Sequence, residues 1–382
     1  MKKINLVIFG ATGSIGQSTL AIVKKNPKLF NIEGVTCNSN IKKLIKIAKE
    51  FNIKKVGFNS QKIKNKSEKI SSRLKVYDNI KQFQEIITPK TDFIIFAISG
   101  LEGMNLLLQI VCLGKKIGIA NKECIISLGK NLFNLANKNN TEIIPLDSEH
   151  NAIYHLSKYN NYTFNSVTIT ATGGPFRSLK LSKFKDITIK DALKHPVWKM
   201  GKKISIDSAT MMNKALELIE ATSFFDLSPE KVNAIIHPQA IVHAMINYNN
   251  GSTTALLSQP SMQIPIASLF FEFETYSKVN KVLDLKKIKN LEFYDIDNKR
   301  FPAIKLGYEV MNEGGLFPNT FNYINELLVN KFLNGSIKFT DIISLNRINL
   351  DKTFNKNSNI ANPNINDINN INCWIDKNLF IG

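Results

Sequence analysis

"INLVIFGATGSIG" (residues 4–16) joins an apolar strand to a turn that carries glycines at positions 10, 13 and 16. Glycine lets the backbone turn sharply, approach a phosphate closely and bring the following helix against the sheet. The N-terminus of that helix offers free N–H groups and the positive end of its dipole to an anion. The segment therefore predicts a nucleotide-binding turn at the start of an α/β fold. A tight strand–helix turn without a ligand is the alternative.

The rest of the first 150 residues alternates short apolar runs with helical patterns. Predicted strands cover residues 4–10, 32–37, 92–99, 116–121 and 142–147, and an amphipathic helix covers 41–51. Continuous apolar strands separated by helices are typical of a parallel sheet covered on both faces. We expect residues 1–150 to form a Rossmann-like domain that binds ligands at the carboxyl ends of its strands.

Beyond residue 150 the pattern changes twice. Residues 151–270 read as mixed α/β, with a strand at 166–174, an amphipathic helix at 208–225 and an antiparallel hairpin at 241–258. Residues 271–297 are predicted to be a connector. Residues 298–382 are predicted to be helical, most clearly at 320–333, with an Asn-rich surface segment at 355–370 before a final short helix. The predicted fold class is α/β.

The composition argues against several other classes of protein. Hydrophobic residues make up 43% and charged residues 21% of the chain, as in globular proteins. No apolar run reaches the roughly 20 residues of a membrane span. The four cysteines form no C-x-x-C pair, which is typical of a reducing cytosol. The opening "MKKINLVIFG" begins a strand almost at once, so we expect no signal or transit peptide.

The net charge of +19 would suit a protein that binds nucleic acid. The lysines are spread along the chain, however, and no basic run is interleaved with aromatic residues. A nucleic-acid partner is therefore disfavoured, although a basic surface would attract an anionic substrate.

The end of the second strand bears on the choice of cofactor. NAD-dependent folds usually carry an acid there, which binds the ribose hydroxyls. Here the strand ends "TCNSNIKK" without an acid, and Ser39, Asn40, Lys42 and Lys43 could meet a 2′-phosphate. This pattern favours NADPH. The alternative is that the two lysines are the solvated face of the next helix.

Two pairs of acids predict a metal site. Asp147 and Glu149 would share a face of an extended segment, and Glu217 and Glu220 would share a face of the 208–225 helix. Carboxylates converging in one cleft repel each other unless a cation is bound, and ligands that are all oxygen indicate Mg²⁺ or Mn²⁺. Taken alone, an acidic pair with the spacing of Asp147 and Glu149 is more often a helix N-cap and a solvated acid than a metal site.

The central region is rich in groups that bind phosphate. "ATGGPF" (171–176) presents a hydroxyl and backbone N–H groups, and "DSATMMNK" (207–214) presents Ser208, Asn213 and Lys214. His195 and His243 add further donors. "HPVWKMGKK" (195–203) predicts a lid over the substrate, with Trp198 and Met200 beside a glycine. An N-cap serine, a solvated lysine and a core tryptophan are the alternatives at these positions.

The segment that follows Asp147 and Glu149 also fits a second class of enzyme. Tyr154 and Lys158 have the Y-x-x-x-K spacing of the catalytic pair in short-chain dehydrogenases. That class needs no metal, so its catalytic residues would replace the carboxylates.

Six segments occur in an order that identifies a family. They are "GATGSIG", "NKE", "PLDSEHNAI", "TGGPF", "HPVWKMGKKISIDSATMMNKALELIEA" and "IIHPQAIVHAMI". With them the chain closely resembles the 1-deoxy-D-xylulose 5-phosphate reductoisomerases of isoprenoid synthesis, from residue 4 to about 345. The resemblance implies a Rossmann-like domain, a central α/β catalytic domain that mediates dimerisation, and a C-terminal helical bundle in a cytoplasmic homodimer.

The resemblance also implies a role for individual residues. The metal ligands would be Asp147, Glu149 and Glu217, and the catalytic residues Lys122, Glu149 and His243. The substrate would contact Ser148, Thr172, His195, Trp198, Ser208, Asn213, Lys214 and Glu217. The cofactor would contact Gly10, Thr12, Gly13, Ser14, Ile15, Ser39, Asn40, Asn121, Glu123 and Gly201.

In the reaction that the resemblance implies, a divalent cation binds the C2 carbonyl and C3 hydroxyl of the substrate. A retro-aldol cleavage and re-formation of a carbon–carbon bond would give a branched aldehyde, which NADPH would reduce. Three positions depart from the family pattern, where serine, serine and lysine are usual and this chain has Ala11, Thr172 and Ser39.

Overall fold

A computed structural model describes residues 3–60, 72–159, 164–198, 200–271 and 282–379 of the chain. The chain divides into two compact units. The first contains residues 1–124, 132–154 and 261–282, and the second contains 125–131, 155–260 and 283–382. Among the described residues, none of the helices combines the length and apolar character that a membrane span requires.

Strands and helices alternate through the first half of the chain, and helices dominate its end. The strands are β1 (Ile4–Phe9), β2 (Phe30–Thr36), β3 (Lys55–Gly57), β4 (Lys75–Tyr77), β5 (Phe93–Phe96), β6 (Lys116–Ile119), β7 (Glu142–Pro145), β8 (Phe164–Ala171), β9 (Val232–Ile236), β10 (Val242–Tyr248) and β11 (Thr253–Leu257). The α-helices are α1 (Ser14–Lys25), α2 (Ile41–Glu50), α3 (Met104–Val111), α4 (Lys122–Leu128), α5 (Lys130–Lys138), α6 (Ser148–Tyr159), α7 (Ile189–Ala192), α8 (Lys202–Ala209), α9 (Met212–Phe224), α10 (Gln263–Phe271), α11 (Leu285–Ile288), α12 (Ala303–Glu313), α13 (Phe317–Leu333), α14 (Asp341–Phe354) and α15 (Ile365–Asn378). Short 3-10 helices lie at Ile80–Ile86, Leu101–Gly103, Leu181–Asp186 and Pro229–Lys231.

The first unit is built on a parallel sheet of seven strands in the order β4-β3-β2-β1-β5-β6-β7. The chain runs outward from β1 to one edge and then returns to build the other half from β5. The order therefore reverses between β1 and β5, which is where ligands bind in open α/β sheets. The predicted Rossmann-like sheet is confirmed. Strands β3 and β4 were not predicted, because strands of three residues are too short to produce a recognisable apolar run.

The second unit contains a four-stranded sheet in the order β11-β10-β8-β9. β10 and β11 form the predicted antiparallel hairpin, and Gly251 takes a positive φ of 84° in its turn. β8 and β9 are parallel. Helix α12 lies close to α9, because Gly307 has no side chain to hold it away from Ala215: a Cβ at Gly307 would lie 2.9 Å from the Ala215 Cβ.

The prediction of a single helix at 208–225 is wrong for its first residues. Residues 202–209 form α8, and α9 begins only at Met212. Met211 separates them in the left-handed conformation, with φ 62°. Ser208 therefore lies in the last turn of α8 and is not an N-cap. The break between the two helices was not predicted, because the apolar pattern continues across it.

Helices α12 to α15 form the predicted helical C-terminal region, where α13 packs against α14 and α15. The final helix is longer than expected and begins inside the Asn-rich stretch. Asn364 and Asp367 form a reciprocal capping box there, which satisfies backbone N–H groups at the helix N-terminus. The predicted connector 271–297 falls partly on residues 272–281, which lie outside the described residues.

Candidate active site

The glycine turn after β1 has the geometry that a pyrophosphate needs. Gly10 has φ 88°, and a Cβ there would collide with the Ala97 carbonyl oxygen on the neighbouring strand-end loop. Gly13 precedes α1 and has no side chain to cap the N–H groups of its first turn. The turn is supported from β2 and α2: the Gly10 N–H donates to Thr36 Oγ1 at 3.1 Å, and Lys43 Nζ donates to the Thr12 carbonyl at 2.9 Å.

The other predicted cofactor residues of the first unit lie at or next to helix starts. Asn40 caps α2, and its side chain accepts from the Lys43 N–H at 3.1 Å. Asn121, after β6, donates to the Gly100 carbonyl at 2.8 Å and accepts from the Cys124 N–H at 2.6 Å. Its amide therefore joins the loop after β5 to the start of α4.

The loop after β7 brings four predicted site residues together. Lys122 Nζ forms an ion pair with Asp147 at 2.8 Å, and Ser148 Oγ donates to Glu149 at 2.6 Å. Burial would raise the pKa of the Asp147 carboxyl, but the charges of Lys122 and His150 outweigh it and hold this pKa well below its usual range. Asp147 is therefore an anion at neutral pH.

The expected extended geometry of this acidic pair is wrong. Helix α6 begins at Ser148, and the Asp147 carbonyl accepts the N–H of Asn151 at 2.8 Å. Asp147 thus occupies the N-cap position, and Glu149 lies in the first helical turn. The predicted N-cap alternative is correct for the backbone of Asp147, while its side chain pairs with Lys122.

Helix α9 of the second unit carries a buried set of charged residues. The charged members of its buried face are Lys214, Glu217 and Glu220, with 4%, 1% and 2% of their surface exposed. Lys214 forms an ion pair with Glu217, and Asn213 Nδ2 donates to the same carboxylate. The i, i+3 and i, i+4 spacings therefore bring three predicted site residues into one cluster.

A second cluster surrounds His195, which follows α7, and includes Thr172 on the loop after β8. The Thr172 hydroxyl lies 3.2 Å from His195 Nε2, and the backbone N–H of Trp198 donates to His195 Nδ1 at 2.8 Å. Burial lowers the pKa of His195 to about 4. The imidazole is therefore neutral at pH 7, with Nδ1 as an acceptor and Nε2 as the proton-bearing atom. Trp198 is half-buried.

Two glycines set the shape of this loop beside α8. Gly173 and Gly174 have φ 82° and 63°, and a Cβ at Gly174 would lie 2.7 Å from the Ser208 carbonyl oxygen. Gly201 caps the other end of α8. Thr172, Ser208 and the helix between Gly201 and Ser208 thus form one packed group.

His243 lies on β10 and is buried, and its Nε2 is 2.9 Å from Ser258 Oγ. Ser258 follows β11, the other strand of the hairpin. Ser258, and Lys43 as a support of the glycine turn, carry no signal in the sequence, since each acts through a contact that only the folded chain creates.

The comparison with known proteins gives one consistent result. A family model described as 1-deoxy-D-xylulose 5-phosphate reductoisomerase matches residues 6–129, and two models of the family's C-terminal domains match 143–225 and 257–377. A 1-deoxy-D-xylulose 5-phosphate reductoisomerase of Pelagibacter ubique is 44% identical over 386 aligned residues, covering 98% of both chains. The chain belongs to the 1-deoxy-D-xylulose 5-phosphate reductoisomerase family.

Solved reductoisomerase structures have the same fold. The enzyme of Zymomonas mobilis in complex with NADPH is 33% identical with a TM-score of 0.86, covering 98% of this chain and 97% of that one. A DOX-P reductoisomerase in complex with NADPH, fosmidomycin and magnesium is 31% identical with a TM-score of 0.89 and the same coverage. The resemblance deduced from the sequence and its fold class are therefore confirmed.

Proposed function

We infer that this protein is an NADPH- and divalent-metal-dependent oxidoreductase. It rearranges and reduces 1-deoxy-D-xylulose 5-phosphate to 2-C-methyl-D-erythritol 4-phosphate, a precursor of isoprenoids. Its membership of the reductoisomerase family supports this function over most of its length. The observation in the fold that carries it is the buried ion pair of Lys214 with Glu217 on α9, where only 4% and 1% of the two side chains are exposed. Buried charges in proteins are paired or coordinate metals.

Asp147, Glu149 and Glu217 are the proposed metal ligands. Asp147 is an anion at neutral pH, and the three residues offer carboxylate oxygens alone, which are the ligands that Mg²⁺ and Mn²⁺ prefer. The residues present therefore fit such an ion, and Lys214 and Lys122 limit the negative charge of the ligand set. When bound, the metal supplies a Lewis acid that polarises the carbonyl and acidifies the hydroxyl of the substrate.

The proposed NADPH site is the glycine turn with Thr12, Ser14 and Ile15. The absence of a side chain at Gly10 and Gly13, and the open N-terminus of α1, fit a pyrophosphate. NADPH supplies the hydride for the reduction. The further proposed contacts are Ser39, Asn40, Asn121, Glu123 and Gly201. Ser39 and Asn40 lie where NAD-binding folds carry an acid, so the chain has no carboxylate there to repel a 2′-phosphate.

The phosphate of the substrate is assigned to Thr172, His195, Ser208, Asn213 and Lys214. The neutral His195 ring donates from Nε2, and the other groups add hydroxyl, amide and ammonium donors. Binding the phosphate far from the reacting carbons provides energy to orient those carbons.

Three further residues act nearer to the reacting carbons in this proposal. Lys122 reaches the substrate beside Ser148, where it can hold a proton for a developing oxyanion. Trp198 covers the substrate from the 195–201 segment and excludes water. His243, held by Ser258, organises the pocket.

The proposal also covers the location, the oligomeric state and the partners of the protein. We expect a cytoplasmic homodimer with a sugar phosphate substrate and without a nucleic-acid partner. Strand β11 lies at a sheet edge with Thr253 and Thr254 exposed, which supports pairing with a second copy. The cysteines are free thiols, and burial raises the pKa of Cys37 to about 12, which keeps this thiol protonated. The division at residues 150, 270 and 297 stays a prediction.

The test of the function is the identity of the product. The purified protein is incubated with Mg²⁺, NADPH and 1-deoxy-D-xylulose 5-phosphate, and the product is analysed by NMR and mass spectrometry. We expect 2-C-methyl-D-erythritol 4-phosphate in a one-to-one ratio to oxidised NADPH. Reduction of the substrate without rearrangement of its carbon chain would contradict the proposal.

A further inference from the structure

Helix α8 contains a buried acid that the proposed reaction does not use. Asp207 lies in the last turn of α8, one residue before Ser208, and only 2% of its surface is exposed. Negative charge near a helix C-terminus is disfavoured by the helix dipole, and burial of a charge is costly unless it is paired. Local energetics therefore do not favour an acid at this position.

The Asp207 carboxylate is paired at both oxygens. Its Oδ1 accepts from Asn325 Nδ2 at 2.8 Å, and its Oδ2 forms an ion pair with Lys203 Nζ at 3.0 Å. Asn325 is fully buried on α13, while Lys203 lies in the first turn of α8, two residues after Gly201. The carboxylate thus joins both ends of α8 to the long helix α13.

The backbone around Asp207 is connected to the turn that follows. The Thr210 hydroxyl lies within hydrogen-bonding distance of the Ile206 and Asp207 carbonyls, at 3.0 and 3.2 Å. The Met211 N–H donates to the Ser208 carbonyl at 3.2 Å, and Met211 has the left-handed φ that separates α8 from α9. The position of α8 therefore determines where the turn ends and where α9, which carries Asn213, begins.

The opposite side of α8 has little room to move. Because a Cβ at Gly174 would already lie 2.7 Å from the Ser208 carbonyl oxygen, the glycine loop and the end of α8 are in close backbone contact. A shift of α8 would change the distance between Thr172, on that loop, and Ser208. Displacements of about 1 Å in a ligand-binding group can cost roughly a hundredfold in rate.

We propose that Asp207 is a positioning residue for the sugar phosphate. By holding α8 against α13, it keeps Ser208 and Asn213 at the separation from Thr172 that the phosphate requires. The inference rests on the proposed function, because that function assigns the phosphate to these three residues.

The main test is Asp207→Asn in the full-length protein, with the sugar phosphate and NADPH varied in turn. We expect KM for the sugar phosphate to rise by about tenfold or more, because the hydrogen bond that joins α8 to Asn325 of α13 loses its charged acceptor and the ion pair with Lys203 is lost. KM for NADPH should rise far less, since all the proposed NADPH contacts except Gly201 belong to the other compact unit. The matched control is Asp226→Asn, which removes the exposed Asp226–Lys130 ion pair of the same unit and should change neither constant.

A second variant separates positioning from loss of the fold. Asn325→Asp places a second carboxylate beside Asp207 and should also raise KM for the sugar phosphate. The double variant Asp207→Asn with Asn325→Asp again pairs one acid with one amide between α8 and α13, although the ion pair with Lys203 stays lost, so its effect on KM should be smaller than the two single effects combined.

The outcomes distinguish this inference from the function on which it rests. If wild type turns over and Asp207→Asn leaves KM for the sugar phosphate unchanged, or raises both KM values equally, the positioning role is wrong. Strictly additive effects in the double variant would also overturn it. A wild-type protein without any turnover would contradict the proposed function, and this inference with it.

Discussion

The Tyr154 hydroxyl donates a hydrogen bond to the Glu142 carboxylate, with 2.6 Å between the oxygen atoms. Glu142 is the first residue of β7, so this contact lies at the amino end of the strand. Asp147 follows the carboxyl end of the same strand, where ligands of parallel sheets bind. Helix α6 therefore runs back from Asp147 and takes Tyr154 away from the edge where a dehydrogenase tyrosine would work.

This geometry predicts that Tyr154→Phe leaves catalysis intact. We expect kcat/KM for the sugar phosphate within about twofold of wild type. The free energy of unfolding should fall by about 1 kcal/mol, because the hydrogen bond to Glu142 is lost. Steady-state kinetics and denaturant unfolding measure the two quantities. A large fall in kcat with normal stability would indicate that Tyr154 is catalytic, as in a short-chain dehydrogenase.

Gly10→Ala tests the glycine turn. The new Cβ would meet the Ala97 carbonyl, which is backbone and cannot rotate away, so we expect KM for NADPH to rise by roughly tenfold or more. Gly251→Ala is the matched control, because Gly251 has a similar φ of 84° but nothing within 4 Å of an added Cβ. It should cost about 1 kcal/mol of stability and leave NADPH binding unchanged.

Much of the fold could be predicted because local patterns agree with it. The apolar runs that gave β1, β2, β5, β6 and β7 are continuous, as buried parallel strands require. The break at Met211 could not be predicted, since a methionine in the left-handed conformation is held there by its surroundings and carries no local signal. The start of α15 could not be predicted from the Asn-rich composition, because asparagine is common both in surface loops and in helix caps.

The candidate site was predictable only where spacing along one helix brings residues together. The cluster of Asn213, Lys214 and Glu217 follows from the helical period. The support of His243 by Ser258, and of Asp207 by Asn325, joins residues 15 and 118 positions apart. Such contacts depend on the packing of separate elements, so no pattern in the sequence indicates them.

His195 should make stability depend on pH. Burial lowers its pKa to about 4, while the unfolded chain takes up a proton near the ordinary value of 6.5. Between these values the unfolded state binds more protons, so the free energy of unfolding falls as the pH drops from 6.5 to 4. His195→Gln should lose less stability than wild type over that range in denaturant unfolding. Equal losses in both proteins would show that His195 titrates normally.

Glu217→Asp tests the proposed metal ligand on α9 while it keeps the charge beside Lys214. Shortening the side chain moves its oxygens away from the proposed site, so we expect Mn²⁺ affinity, measured by calorimetry, to fall by about tenfold or more. The control is Glu313→Asp, in the exposed last turn of α12. Unchanged Mn²⁺ affinity in Glu217→Asp would remove Glu217 from the ligand set.

In the proposed mechanism the carboxylates hold a metal on which the reaction depends. The most direct test follows NADPH oxidation with 1-deoxy-D-xylulose 5-phosphate before and after treatment with EDTA, and again after addition of Mg²⁺ or Mn²⁺. We expect EDTA to abolish turnover and either ion to restore it. Turnover that persists in EDTA and is lost in Tyr154→Phe would contradict the account.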